Sequence, residues 1–82
     1  MADITYHVVM SFIRNEDGEL IADPPIEMPS ANGATSRARS LSATKAGAIA
    51  FSRTGDPMLG DFADAVVLFK AGEVPEDVFD RG

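Results

Sequence analysis

Residues 51–64, FSRTGDPMLGDFAD, hold the densest set of groups able to do chemistry. Arg53 stands between Ser52 and Thr54, with Gly55 next in the chain. A guanidinium among hydroxyls and adaptable backbone N–H groups is a common way of holding a phosphate or a carboxylate. Arg53, Thr54 and Gly55 are therefore the candidate anion-binding residues. The same stretch carries Asp56, Asp61 and Asp64, oxygen donors of the kind that Ca²⁺ or Mg²⁺ requires. Their spacing departs from the EF-hand pattern. Asp56-Pro57 reads instead as the start of a turn, with Asp61 and Asp64 as solvated charges beside a strand. No metal site is expected. SRTG also lacks the G-x-x-x-x-G-K-[ST] of a phosphate-binding P-loop. The competing reading of Arg53 is an ion pair with a neighbouring Asp across a hairpin.

A second group of candidates would meet a protein partner. Met58 and Leu59 lie at the tip of a loop that is longer than a hairpin needs, and turn chemistry does not explain two apolar residues there. Arg37 and Arg39 lie among Thr35, Ser36, Ser40 and Ser42, side chains that can contact phosphates without reading bases. Nucleic acid is not the expected partner, because no aromatic residues are interleaved and the chain carries a net charge of −6. The charge is uneven: residues 30–53 hold Arg37, Arg39, Lys45 and Arg53 and no acid, between two acidic flanks. The basic middle is read as an internal neutraliser or a docking surface for an acidic partner. His7 is the single histidine, and nothing joins it to a Ser and an Asp as a triad or places a G-x-S-x-G elbow. No catalytic residue is assigned, no cofactor is expected, and the chain is read as non-enzymatic.

These groups sit on a scaffold of 82 residues, the size of one domain. So short a chain buries roughly 60–65% of its unfolded surface, and small domains usually add a disulfide, a metal or a partner subunit. The absence of Cys excludes disulfides and suits a reducing compartment. One His makes a His-based metal site unfavourable. No apolar run reaches the ~18–20 residues of a membrane-spanning helix, and Asp3 precedes the first apolar run where a signal peptide would carry Lys or Arg. A cytoplasmic protein without membrane contact is expected.

Residues 4–14 alternate as a strand, with Ile4, Tyr6, Val8, Met10 and Phe12 on one face and Thr5, His7, Val9, Ser11 and Ile13 on the other. The first face, being uniformly apolar, is expected to meet the core. NEDGE, 15–19, is a hairpin turn, and residues 20–23 return as a strand that Pro24 and Pro25 end. Residues 24–29 read as an extended connection. Ser30 is a helix N-cap, and Ala31, Ala34, Ala38 and Leu41 form the apolar stripe of a helix over 31–46. Strands over 48–53 and 64–71 follow, separated by a loop at 54–62. The acidic segment 73–82 forms a tail that Val74, Val78 and Phe79 could dock.

The order predicts an α+β domain over residues 1–72, ββαββ, with a single antiparallel four-stranded sheet and one helix packed on one face. One helix covers one sheet face, which leaves apolar residues such as Val9, Ile13, Val66 and Leu68 on the other. A homodimer through the sheet face opposite the helix is therefore expected, with coverage by the chain's own tail as the alternative. The leading functional reading is a small non-enzymatic, self-associating domain that binds a protein partner. The alternative is a module that binds a small ligand or anion through Arg53 and the 54–61 loop. The third is an enzyme whose site forms between subunits.

Overall fold

A computed structural model of the chain describes residues 3–75 and 78. One helix lies across a single antiparallel sheet, the α+β arrangement that the order of elements predicts. The strands are β1 (Ile4–Arg14), β2 (Leu20–Ala22), β3 (Ile26–Met28), β4 (Gly47–Asp56), β5 (Asp61–Phe62) and β6 (Val66–Gly72). Helix α1 (Ala31–Ser42) connects β3 to β4.

The sheet is four strands wide, but six segments build it, which corrects the expected count of four. Both β2 and β3 pair with β1, one after the other along its length. Pro24 and Pro25 separate them because proline has no N–H to give to a ladder. The predicted connection at 24–29 thus ends in a strand, with Met28 opposite His7 and Ile26 opposite Val9. Similarly, β5 and β6 both pair with β4. The predicted loop at 54–62 shrinks to the four-residue turn 57–60, because β4 continues to Asp56 and meets β5.

Local chemistry accounts for the turns. Asn15 accepts hydrogen bonds on its side-chain oxygen from the N–H groups of Asp17 (2.9 Å) and Glu19 (2.8 Å). Gly18 follows with φ at 81°, where a side chain would be strained. The Ser30 hydroxyl accepts from the N–H of Gly33 at 3.0 Å, the N-cap bond expected of it. The helix stops at Ser42, short of the predicted 46. Thr44 and Lys45 both donate backbone N–H groups to the Leu41 carbonyl as the chain turns out. The Lys45 ammonium then lies 3.0 Å from Asp23.

The helix packs on the face of the sheet that alternation alone disfavours. Ala34 and Ala38 meet Val9, Ala48 and Ala50, all fully buried, with Ile26, Met28, Leu41, Leu68 and Phe69 around them. Val9 and Leu68 therefore lie under the helix and not on an exposed face, a correction to the expected assignment. The reason is size: a helix with an alanine stripe approaches closely only where the sheet also offers small side chains. The bulky set of Phe12, Ile49 and Phe51 gathers on the opposite face, with Val8, Met10, Leu20, Ala65, Val74 and Val78 against it. Phe12 is only 2% exposed there. Of the expected tail, Val74 and Val78 thus contribute to covering this second face. The reading of Phe79 as a docking residue falls outside the described residues, as do the rest of the tail's 76–77 and 79–82.

Candidate functional site: a concavity at Arg53

The far end of the second face is not filled by that cluster. A concavity of about 470 Å³ opens there, lined by Tyr6, Val8, Arg53, Gly60 and Phe62. Three elements place these side chains. Tyr6 and Val8 are two residues apart on β1 and so share a face. Arg53 stands directly opposite Tyr6 on β4. Phe62 comes from β5, opposite Gly55.

Gly55 explains how Phe62 reaches this position. A Cβ at residue 55 would overlap the Phe62 Cα, at 2.6 Å, and crowd its ring, at 2.7 Å. The missing side chain lets the aromatic ring lie across the β4 backbone, a known way of covering a strand glycine. The ring then stands against Tyr6, with centroids 5.9 Å apart and planes at 39°. Such tilted contact is favourable between aromatic groups. The two rings and Val8 form apolar walls.

Arg53 is the cation of this concavity. Its Nη2 donates to the Ala63 carbonyl at 3.5 Å, the long limit of a hydrogen bond. Its Nε is shielded from solvent and has no hydrogen-bond partner among the described residues. The predicted ion pair with a neighbouring Asp is not formed. The ion pairs among the described residues are Arg14–Glu73 and Lys45–Asp23. In a chain with 13 acidic and 7 basic residues, a half-buried guanidinium with no carboxylate among the described residues is conspicuous. A charged donor taken from water without an acceptor carries a substantial desolvation cost.

The other sequence candidates fall in different places. Strand alternation sends Thr54 to the helix side of the sheet, where its hydroxyl lies 2.8 Å from that of Thr5. Ser52 goes the same way and meets His7, Oγ to Nδ1 at 2.7 Å. The hydroxyls flanking Arg53 in sequence therefore do not face the concavity. His7 also lies on the helix side, away from the face expected to form a subunit contact. Arg37 and Arg39 are exposed on α1, across the sheet from Arg53. The Arg39 guanidinium sits 5.3 Å from the centre of the Phe69 ring, a cation–π contact that gives it a structural partner.

Met58 and Leu59 form the tip of the β4–β5 hairpin and are 90% and 76% exposed. The turn is tight. The Asp56 side chain accepts from the N–H of Met58 at 2.9 Å, and the Asp56 carbonyl accepts from those of Leu59 and Gly60. Gly60 closes the turn with φ at 68° and borders the concavity. Asp56 and Asp61 face each other across the hairpin as paired residues. Among the described residues no group of three or more His, Asp or Glu side chains could hold a metal ion. Likewise, no helix among them is long and apolar enough to cross a membrane.

Sequence reasoning selected Arg53 but not Tyr6, Val8 or Phe62. The alternation of β1 already groups Tyr6 with Val8, but only the β1–β4 register sets Tyr6 across from Arg53. The chain matches no protein-family model, no curated protein and no solved structure in the comparisons made.

Proposed function

We propose that the protein is a non-enzymatic binding module that holds an organic carboxylate in the Arg53 concavity. The observation that carries this reading is a half-buried guanidinium whose Nε has no partner among the described residues, beside walls of Tyr6, Val8 and Phe62. A guanidinium matches the planar fork of a carboxylate. The apolar walls favour a ligand whose carboxylate is joined to an aromatic or aliphatic body. A phosphate-rich ligand would need more donors than this lining offers. Few, well-placed polar groups among apolar walls are the usual make-up of a small-ligand site. The lack of Cys supports placing the protein in the reducing cytoplasm.

The test is a titration of the isotopically labelled protein with phenylacetate, phenylacetamide and inorganic phosphate, followed by amide shifts. Phenylacetate is expected to move Tyr6, Gly60 and Phe62 at millimolar concentration. The uncharged amide and the phosphate should be much weaker, and Arg53→Gln should abolish the response. Equal responses to all three probes, or none at this site, would refute the reading.

A further inference from the structure

We propose that the ligand of the concavity is a zwitterion about the length of a dipeptide, with its carboxylate on Arg53 and its ammonium on Glu27. This inference rests on the concavity reading above and narrows the class of ligand. Glu27 lies on β3 directly across from Val8. Residues opposed in a ladder share a face of the sheet. Glu27 therefore stands on the same face as Tyr6, Val8 and Arg53, beside one apolar wall of the concavity. It is exposed and takes part in neither ion pair among the described residues.

The two charges are held apart because β1 runs between them. Arg53 is two strands from Glu27 and two residues further along the ladder. Strands lie about 4.8 Å apart and residues rise about 3.4 Å along them, which puts the two Cα atoms roughly 12 Å apart. A ligand that lies on Tyr6 and Val8 and touches both charged heads needs its own charges roughly 6–9 Å apart. Two extended residues span about 7 Å, whereas one spans only about 3.5 Å. The spacing thus suits a dipeptide or an ω-amino acid and not an α-amino acid.

Charge complementarity favours the same class. The chain carries a net charge of −6, which repels a simple anion, and Glu27 adds to that repulsion beside the site. A zwitterion has no net charge to be repelled. Its ammonium turns Glu27 from an opposing charge into a contact and fixes which way round the ligand lies.

Amide-shift titrations with 4-(aminomethyl)phenylacetate and 4-methylphenylacetate test this, because the pair differs in the ammonium. The amine is expected to bind roughly two- to fivefold more tightly, the strength of an exposed ion pair. Glu27→Gln should erase that advantage and keep the response to 4-methylphenylacetate, which also shows that the variant is folded. Glu27→Lys should reverse it, tightening the simple acid and weakening the amine. Phenylalanine, whose two charged groups share one carbon, should bind no more tightly than phenylacetate. Equal affinities for the two para-substituted acids, or an advantage that survives Glu27→Gln, overturn the proposal. So does phenylalanine binding more tightly than phenylacetate. A response to 4-methylphenylacetate at Tyr6, Gly60 and Phe62 with no gain from the amine defeats the zwitterion inference alone. No response to either acid at millimolar concentration defeats the Arg53 reading, and this inference with it.

Discussion

Arg14 grips Glu73 with two parallel hydrogen bonds of 3.0 Å, from Nε to Oε1 and from Nη2 to Oε2. This fork joins the end of β1 to the segment just after β6, and Arg14 also reaches the Gly18 carbonyl in the first turn. The hydrogen bond and charge of Arg14 hold the Glu73 carboxyl below the usual range. Asp23 is held low in the same way, first by its hydrogen bond from Lys45 and then by one from Ser11. A carboxylate whose pKa is lower in the folded chain stabilises the fold above its unfolded value. That stability is lost as the pH falls through the folded value. Resistance to urea should therefore be flat near neutrality and decline below about pH 4. Glu73→Gln and Asp23→Asn should each reduce that decline. Both pairs are solvent-accessible, so each effect is expected to be small. A midpoint unchanged down to the acid limit would contradict the assignment.

The helix–sheet contact should not tolerate a larger side chain. Ala38 is fully buried within the cluster that includes Ala34, Ala48 and Ala50. Ala38→Leu raises intrinsic bulk without changing helix type, and it should cost about 1–3 kcal/mol through overpacking. Ala43→Leu, at the exposed C-cap, is the control and should change stability little. Urea unfolding of the two variants measures the difference.

Gly47 is required by a close approach and not by its backbone angle. A Cβ at this position would overlap the backbone of Glu73 where it crosses the start of β4. Gly47→Ala must displace that segment, which also carries the Glu73 N–H bond to the Ala46 carbonyl. A loss of about 2–3 kcal/mol is expected, within the range for a backbone-clashing substitution. Hydrogen exchange should show the Glu73 amide losing protection first.

The Ser52–His7 bond is a structural link on the helix side. Ser52 is 9% exposed, and its hydroxyl reaches Nδ1 of His7 at 2.7 Å. Ser52→Ala leaves the imidazole without this partner and should cost about 1 kcal/mol. The phenylacetate response at Gly60 and Phe62 should be unchanged, because the two sites lie on opposite faces of the sheet. A lost response at Gly60 would link the two sites and contradict this separation.

The parts of the fold legible in the sequence are those whose signals are local. Asn15 and Gly18 make their turn, Ser30 caps its helix, and β1 alternates, all through bonds and angles within a few residues. Short segments gave no such signal. The strands β3 and β5 span three and two residues, too few for a period to be read, and they exist because β1 and β4 present edges to pair with.

The sequence by itself determined the α+β class, the order of the helix and of the strands other than β3 and β5, and Arg53 as a cation set among acids. Only the tertiary structure decided which sheet face the helix covers, because alternation separates two faces and favours the uniformly apolar face of β1, which the helix does not cover. Side-chain volume ranked them: the alanines of α1 fit over Val9, Ala48 and Ala50, leaving Phe12, Ile49 and Phe51 to the other side. The same pairing of distant strands set Tyr6 against Arg53 and sent Thr54 away from it. A site made by cross-strand register has no spacing along the chain to reveal it, since its members meet only when the ladder between β1 and β4 forms.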